Sequence, residues 1–279
     1  MIVCSSNAWG GCLPEYVPYI VKQAQSVDVI CMQEVHVAYT ECVPDRIMPS
    51  DPGSRTVPLN LHLFNQLSAA LQDDFWCWFS PQMTGYLHDM ESVKLNIAYG
   101  NAMFVRRTVG MLDYQQSFVY KKGPPHNNGE TGAHKTAQAV VVATAGRRIL
   151  ISQTHGLWWK SNKSNVFPRS LQFKNWYAWL IELYEKYSCT DIVLCGDFNQ
   201  SSKTYLISEI PQWSVFGPVP GRNLNQFHGI TDTRTSHYTK VLREADYVFA
   251  SPGLEPSLQI DYDVPSDHAL LKCTLRAVG

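Results

Sequence analysis

The chain has 279 residues and a formal net charge of −1, with 23 basic against 24 acidic residues. With 45% hydrophobic and 17% charged residues, it has the composition of a globular protein and is long enough for one large core. The balanced charge excludes the basic excess of strong nonspecific nucleic-acid binders, but a local basic groove stays open. No apolar run approaches the roughly 20 residues that span a bilayer, and the N-terminus lacks a secretory signal pattern.

No repeat or linker divides the sequence, so we expect a single domain over residues 1–279. The eight cysteines show neither a Cys-x-x-Cys pair nor zinc-ligand spacing. Several of them lie in predicted core strands. We therefore expect buried free thiols and a cytoplasmic or other intracellular reducing compartment, with structural disulfides as the alternative.

Strands and helices are mixed along the whole chain. In chain order, apolar patterning predicts a strand at 2–9, a helix at 14–26, a strand at 27–33, a helix at 59–72, strands at 75–79 and 95–106, a hairpin of 137–144 and 148–155, a helix at 168–187, and strands at 191–195, 246–250 and 269–275. Irregular stretches are expected at 42–58 and 121–135. A hairpin among these elements favours an α/β fold of two stacked mixed sheets with helices outside.

Polar side chains recur where the apolar strands end. They are Asn7, Glu34, His155, Asp197 with Asn199, and Asp267 with His268. One such residue is ordinary, but five places in one chain indicate strand ends that converge on a single site. Carboxylates, a carboxamide and imidazoles at that site suit metal-assisted attack on a phosphate ester.

Glu34 is the first candidate metal ligand. It follows an apolar strand, where a carboxylate is costly unless it is paired or bound to a cation. The alternative is a solvated glutamate just past the strand. Asn7 could complete the metal shell, orient Glu34, or be a turn residue before Gly10 and Gly11.

Asp197 and Asn199 are two positions apart, so their side chains point the same way if the strand geometry persists. Asp197 could polarise a water molecule, and Asn199 could hold that water or the phosphate. An Asx turn after the strand is the alternative.

The histidines are candidates for charge stabilisation. His155 could donate to a phosphate oxygen, or be a satisfied core histidine. His268, if protonated, could stabilise the transition state, and Asp246 could orient its ring and raise its pKa. The alternatives are that Asp267 and His268 form an ordinary surface pair, and that Asp246 is an ordinary carboxylate at the start of a strand.

These motifs, in order along the chain, resemble the endonuclease/exonuclease/phosphatase superfamily of metal-dependent phosphoesterases. They are Ser6-Asn7 with Gly10-Gly11, Gln33-Glu34, Gly100-Asn101-Ala102-Met103, Thr154-His155, Gly196-Asp197-Phe198-Asn199, Asp246-Tyr247-Val248-Phe249 and Ser266-Asp267-His268. The resemblance implies a DNase I-like, four-layer α/β sandwich of two mixed sheets flanked by helices.

The resemblance also implies residue roles. Mg²⁺ or Mn²⁺ would bind at Asn7 and Glu34, with Asp267 as a further candidate ligand. Asp197 would act as the base and Asn199 as the positioner. His155 and His268 would stabilise the transition state, and Asp246 would orient His268. The resemblance is equally compatible with one or two metal ions.

Two departures bear on the substrate. Apurinic-site endonucleases of this superfamily commonly have tyrosine at the place of His155 and an acidic residue at that of Trp9. The sequence is closer to the branch of deadenylases, tyrosyl-DNA phosphodiesterases, sphingomyelinases and inositol phosphatases.

Three further residues are candidate substrate contacts. Trp158, with Trp159 beside it, could stack on a base, insert into a lipid surface, or pack under the following helix. Asn101 could touch substrate by its motif position, or face a neighbouring strand. Arg169 with Gln172 matches an Arg-x-x-Gln pattern of the family, and we predict that Arg169 binds substrate.

The expected function is a Mg²⁺-dependent phosphodiesterase acting on nucleic acid or a nucleotide. The alternatives are a lipid-directed phosphodiesterase of sphingomyelinase type, with peripheral lipid contact, an inositol phosphatase, and an inactive binding subunit. The sequence does not indicate an oligomeric state.

Overall fold

The computed structural model describes residues 1–48, 58–87, 90–121, 134–158, 163–164, 166–210 and 222–277. Much of the two predicted irregular stretches, and Trp159, lie outside these residues. Among the described residues, no helix is both long and apolar enough to cross a bilayer.

The elements follow one another in mixed order. The strands are β1 (Ile2–Asn7), β2 (Val29–Ala38), β3 (Arg46–Ile47), β4 (Leu59–Asn60), β5 (Phe75–Leu87), β6 (Met90–Arg106), β7 (Gly110–Tyr120), β8 (Lys135–Thr144), β9 (Arg147–Thr154), β10 (Asp191–Asp197), β11 (Arg222–Asn223), β12 (Asp246–Ala250), β13 (Leu254–Asp261) and β14 (Leu270–Ala277). The helices are a 3₁₀ turn (Trp9–Gly11), α1 (Tyr16–Ala24), α2 (Leu63–Leu71), α3 (Phe167–Lys186), α4 (Tyr205–Glu209) and α5 (Leu224–Phe227).

Two six-stranded sheets form the body of the protein. The first has the order β13-β14-β1-β2-β6-β5, and the second has the order β11-β12-β10-β9-β8-β7. In each sheet one central pair is parallel, β1 with β2 and β9 with β10, and the other neighbours are antiparallel. The sheets are therefore mixed, as predicted.

The main core lies between the facing sheets. Val3 and Val29 of the first sheet pack in one cluster with Val140, Ile151 and Val193 of the second. The outer face of the first sheet is covered by α1 and α2, and that of the second by α3. The result is the four-layer sandwich. It explains why central strands such as β10 read as unbroken apolar runs, since both of their faces are covered.

Most predicted elements are confirmed, with most ends moved by a few residues, but β5 runs eight residues past its predicted end, and the short β3, β4, β11, α4 and α5 were not predicted. The hairpin of β8 and β9 turns at Ala145 and Gly146, as predicted. β7 and β13 were not predicted. Both lie at sheet edges, where exposed polar residues such as Gln116 and Glu255 interrupt the apolar pattern.

All eight cysteines are free thiols, and six of them are buried as predicted, whereas Cys42 is exposed and Cys77 is half-buried. Cys31 and Cys195 lie in the core between the sheets. Burial raises the pKa of Cys4 and of Cys273 to about 12, so these thiols are un-ionised at neutral pH.

Candidate active site

The two parallel strand pairs carry their polar ends to one edge of the sandwich. Asn7 ends β1 and Asp197 ends β10, in different sheets. Asn7 Nδ2 donates to Asp197 Oδ2 at 3.0 Å and to Glu34 Oε1 at 3.2 Å. The neutral amide thus joins two carboxylates across the gap between the sheets.

A β-bulge turns Glu34 into this edge. The register of β2 against β6 shifts between Met32 and Val35, and Glu34 has a φ of 55°. Donor atoms of Glu34, His155 and Asp197 lie within 4.8 Å of one another. His155 Nε2 is 4.0 Å from Glu34 Oε1 and 3.9 Å from Asp197 Oδ2.

Asp197 and Asn199 form an Asx turn that also aims the Asn199 amide. The backbone N–H of Asn199 donates to Asp197 Oδ1 at 2.7 Å. Asn199 Nδ2 donates to His155 Nε2 at 3.0 Å and to the Gly156 carbonyl at 3.1 Å. The Asx turn and the functional pair are therefore compatible, because the turn places the Asn199 amide beside His155.

His268 and Asp246 form a buried pair. His268 Nδ1 lies 2.8 and 2.9 Å from the two Asp246 carboxylate oxygens, and Thr233 Oγ1 donates to Asp246 Oδ2 at 2.8 Å. His268 Nε2 is 3.6 Å from Asp197 Oδ2. The orientation of His268 by Asp246 is thus present in the structure.

The charge state of His268 corrects the sequence prediction. Burial, and then the Arg234 guanidinium, lower the pKa of His268 to about 4, whereas burial raises the pKa of Asp246 to about 6. His268 Nε2 accepts a hydrogen bond from Arg234 Nη1. The imidazole is therefore neutral at neutral pH, and Asp246 orients the ring without charging it.

Arg234 is the central residue that sequence reasoning missed. Only 4% exposed, it lies 3.9 Å from Asp197 Oδ2 through Nη2 and 3.9 Å from Asp267 Oδ2 through Nη1. Its guanidinium lies 4.4 Å from the centre of the Tyr238 ring. No apolar strand precedes Arg234, and its bridge to His268 spans distant parts of the chain, so no local pattern could reveal it.

Comparison with known proteins identifies the family of this chain. The model of the Endonuclease/Exonuclease/phosphatase family matches residues 4–268. The chain belongs to the endonuclease/exonuclease/phosphatase family. Members of this family are hydrolytic phosphoesterases, and no match was found among curated proteins.

Solved structures of the family share the DNase I-like fold. The human Nocturnin catalytic domain with bound sulfate is 17% identical over 100% of this chain and 93% of its own, with a TM-score of 0.67. Truncated Caenorhabditis elegans TDP2 is 14% identical over 99% and 97%, with a TM-score of 0.60. A Bacteroides thetaiotaomicron mannosyl-6-phosphatase is 13% identical over 99% of each chain, with a TM-score of 0.64.

The predicted metal ligands Asn7 and Asp267 have less direct placements than Glu34. Asn7 Oδ1 accepts the Trp9 backbone N–H at 2.9 Å, so as placed Asn7 orients carboxylates through its nitrogen. Asp267 lies beside His268 Nε2, at 3.7 Å, and near Arg234. The predicted metal ligands therefore lie in two places, with Asn7 beside Glu34 and with Asp267 beside His268 and Arg234.

Two predicted substrate contacts do not fit their placements. Arg169 is 1% exposed, and its guanidinium donates to the carbonyls of Leu157, at 2.8 Å, and Ser164, at 2.6 Å. Asn101 is fully buried, accepts from Gln82 Nε2 and donates to the Thr136 carbonyl. Both side chains use their polar atoms to hold the protein's own backbone and side chains.

The Arg-x-x-Gln pattern instead shapes the segment that follows His155. Gln172 Oε1 accepts the Leu157 N–H at 2.9 Å, and its Nε2 donates to the His155 carbonyl at 3.0 Å. With Arg169, it fastens this segment to α3. Trp158, at the end of the same segment, is 45% exposed, which leaves it open to solvent and to a ligand.

Lys135 adds a second unpredicted buried cation. Burial lowers the pKa of Lys135 to about 8, while the charges of Glu34 and Asp197 oppose that shift. Its Nζ is 3.5 Å from Gln82 Oε1. Because Lys135 is a polar residue at the very start of β8, the local sequence does not predict that it is buried.

The donor set fits a hard divalent cation. Glu34 and Asp197 supply carboxylate oxygens, which such cations prefer, and the His155 nitrogen lies beside them. Asn7 fixes the spacing of the two carboxylates. Like charges held this close are costly unless a cation neutralises them.

Proposed function

We propose that this protein is a phosphodiesterase that cleaves nucleic acid or nucleotides with a divalent cation, Mg²⁺ or Mn²⁺. The observation that carries the proposal is the meeting of Glu34, His155, Asp197, Asn199 and the Asp246–His268 pair at one edge of the sandwich. A structural cluster would not need a carboxylate, a carboxamide and an imidazole aimed at a common point.

The proposed cation would be held by Glu34 and Asp197, beside His155. When bound, it would neutralise negative charge that develops on the phosphoryl oxygens. Asn7 keeps the two carboxylates at their spacing through its Nδ2, and thereby prepares the cation site.

We assign the base and the positioner to the turn at the end of β10. Asp197 would accept a proton from the attacking water through the carboxylate oxygen that does not hold the cation. Asn199 would position that water through its Oδ1, because both Nδ2 hydrogens are donated to His155 Nε2 and the Gly156 carbonyl. His155 and His268 lie beside Asp197, at the place proposed for the phosphoryl group. Because His268 is neutral in the free protein, the positive charge there comes from Arg234 and the cation.

A substrate panel tests the proposal. Purified protein is assayed with single- and double-stranded DNA, RNA, nucleotide diesters, sphingomyelin vesicles, inositol phosphates and sugar phosphates, with Mg²⁺ and with EDTA. We expect EDTA-sensitive cleavage of a nucleic acid or nucleotide diester, abolished in Glu34→Gln. Hydrolysis of monoesters alone would contradict the diesterase assignment. Silence on the whole panel would favour a binding subunit.

A lipid-directed phosphodiesterase is the second candidate. The side chains of Trp158 and Phe167 are 45% and 79% exposed. Exposed aromatic side chains near a site suit insertion at a lipid surface. Co-sedimentation with sphingomyelin vesicles separates the candidates. We expect no binding, and vesicle binding lost in Trp158→Ser with Phe167→Ser would favour the lipid substrate.

A further inference from the structure

Arg234 lies where the site could otherwise hold another cation. Among the described residues, the donor atoms of Asp197, Asp246 and His268 form a second group within 4.8 Å of one another. The Arg234 guanidinium meets this group, with Nη2 3.9 Å from Asp197 Oδ2 and Nη1 donating to His268 Nε2. A side-chain cation therefore stands at the second candidate metal position.

The donors that a second ion would need are already in use. His268 Nδ1 faces Asp246, and the lone pair of His268 Nε2 accepts from Arg234. Asp246 Oδ2 also accepts from Thr233 Oγ1. A metal ion could take the His268 nitrogen only by displacing the guanidinium.

The positive charge of Arg234 also disfavours a second metal ion. Guanidinium remains protonated at any ordinary pH, and Arg234 is 4% exposed, so water screens its charge weakly. The Arg234 contacts differ from those of Arg169, whose guanidinium binds backbone carbonyls. Arg234 instead faces ionisable side chains, and its Nε–H, within the described part of the chain, has no hydrogen-bond partner.

The first donor group is organised differently. Its donor atoms also accept hydrogen bonds, but from neutral amides: Asn7 Nδ2 bridges Glu34 and Asp197, and Asn199 Nδ2 donates to His155 Nε2. Neither amide carries the charge of a cation. The Glu34 side of the site is therefore held by neutral donors, whereas the fixed positive charge of Arg234 already stands on the His268 side.

We propose that Arg234 is a built-in cation in place of a second metal ion, so that the protein binds one divalent ion, at Glu34, His155 and Asp197. The inference rests on the cation site proposed above and adds its stoichiometry. It also gives Arg234 a specific function, which is to supply fixed positive charge opposite the bound ion.

Counting bound Mn²⁺ tests this directly. Free Mn²⁺ is measured by electron paramagnetic resonance during titration of the intact protein, alongside calorimetry. The variants are Arg234→Met, which removes the charge with little loss of volume, and Arg234→Lys, which keeps it. Arg148→Met is the matched control, because exposed Arg148 lies at the opposite end of β9 from His155.

We expect one Mn²⁺ per chain in the wild type, Arg234→Lys and Arg148→Met, and two in Arg234→Met. Two ions in the wild type would overturn the inference and leave the proposed phosphodiesterase intact, even if Arg234→Met does not fold. One ion in a folded Arg234→Met would overturn it as well. No bound ion in the wild type would refute the cation site itself.

Discussion

At the scale of single residues, the site combines a neutral histidine with a fixed arginine. His268 has its two ring nitrogens committed to Asp246 and Arg234, and both burial and the guanidinium disfavour the imidazolium form. Sequence reasoning assigned the positive charge to His268. In the structure the positive charge belongs to Arg234, which lies in none of the motifs recognised in the sequence.

The pKa of His268 can be measured in the metal-free protein. We expect its Cε1–H NMR signal to titrate near pH 4, well below the ordinary 6.5, and to move upward in Arg234→Met. Since the unfolded chain then binds more protons, His268 lowers stability as pH falls from about 6.5 toward 4. Titration near pH 6.5 in the wild type would refute the buried neutral state.

The raised pKa of Asp246 changes the stability of the protein with pH in the opposite direction to that of His268. Its folded-state pKa of about 6 exceeds the ordinary 3.8, so its contribution to stability is present below about 3.8 and is lost as pH rises through 6. The two shifts therefore oppose each other between about pH 4 and 6. We expect His268→Gln to unmask the Asp246 effect, seen in urea unfolding as stability that falls with rising pH across that interval. A flat profile in this variant would contradict the assignment.

Asn199 tests whether the amide or the backbone turn matters for activity. Its φ of 53° suits asparagine or glycine, so Asn199→Gly keeps the turn and Asn199→Ala strains it. We expect both variants to lose about 10²–10³-fold in kcat, as for removal of one positioned hydrogen-bonding group. Only Asn199→Ala should also lose thermal stability. Activity retained in Asn199→Gly would show that the amide has no role.

At the scale of elements, close backbone approaches fix the strand ends around the site. A Cβ at Gly156 would lie 2.1 Å from the Phe198 carbonyl oxygen, and one at Gly196, where φ is 136°, would lie 2.2 Å from that of Thr154. β9 and β10 can therefore carry His155 and Asp197 side by side only with glycine at these positions.

Gly196→Ala should accordingly move the end of β10 away from β9. We expect a loss of at least about 1–3 kcal/mol in unfolding free energy and a strongly reduced kcat. Gly146→Ala is the control, because Gly146 also has a positive φ, 75°, but has open space around it. Equal losses in the two variants would mean that φ alone, and not the close approach, explains the glycine at 196.

The starts of the same two strands are joined by an ion pair. Arg147 Nε donates to Asp191 Oδ2 at 2.6 Å and Arg147 Nη2 to Oδ1 at 2.9 Å, and Ser251 also donates to Asp191. Burial raises the pKa of Asp191, but hydrogen bonds from Arg147, Thr190 and Ser251 outweigh it and hold that pKa below its ordinary value. The stabilisation is thus present above about pH 4 and is lost on acidification.

Arg147→Met should cost about 3 kcal/mol at pH 7, because it leaves a buried carboxylate without its cation. The deficit should shrink toward pH 4, where the Asp191 carboxylate of the variant takes up a proton. Urea unfolding at the two pH values measures both effects, with Arg148→Met as the exposed control. A deficit that is independent of pH would point to lost packing instead of lost charge.

These elements also explain how far the sequence could lead. Strands buried on both faces, such as β10 and β12, have unbroken apolar runs and were predicted nearly to the residue. Local chemistry predicted that Glu34, His155, Asp197 and His268 lie together, but not the bulge that aims Glu34. Arg234 depends on a long-range contact, and the polar edge strand β13 has no local signal, so neither could be read from the chain.

At the scale of the whole molecule, the site exists only where the two sheets meet. Asn7 and Glu34 come from the first sheet, and His155 and Asp197 from the second. A buried chain of amides also crosses the interface, since Gln33 Nε2 donates to Gln153 Oε1 at 2.5 Å and Gln153 Nε2 to Gln138 Oε1 at 2.8 Å. A cation bound between Glu34 and Asp197 would therefore link the halves.

Such a cation should stabilise the folded protein as a whole. At 100 times its dissociation constant it would add about 2.7 kcal/mol, because the unfolded chain lacks the site. We expect Mg²⁺ to raise the melting temperature of the wild type but not of Glu34→Gln, which removes one ligand charge. In EDTA, the variant should be at least as stable as the wild type, since it relieves repulsion with Asp197. An equal Mg²⁺ effect on both would place the cation elsewhere.

The most direct test of the account is the rate of phosphodiester hydrolysis by wild type and Asp197→Asn, measured with Mg²⁺ and with EDTA on bis(p-nitrophenyl) phosphate and a short oligonucleotide. We predict Mg²⁺-dependent release of product by the wild type, and a loss of several orders of magnitude in the variant, whose fold is checked by circular dichroism. Hydrolysis that survives EDTA, or that Asp197→Asn leaves unchanged, would contradict a cation-dependent site at the end of β10.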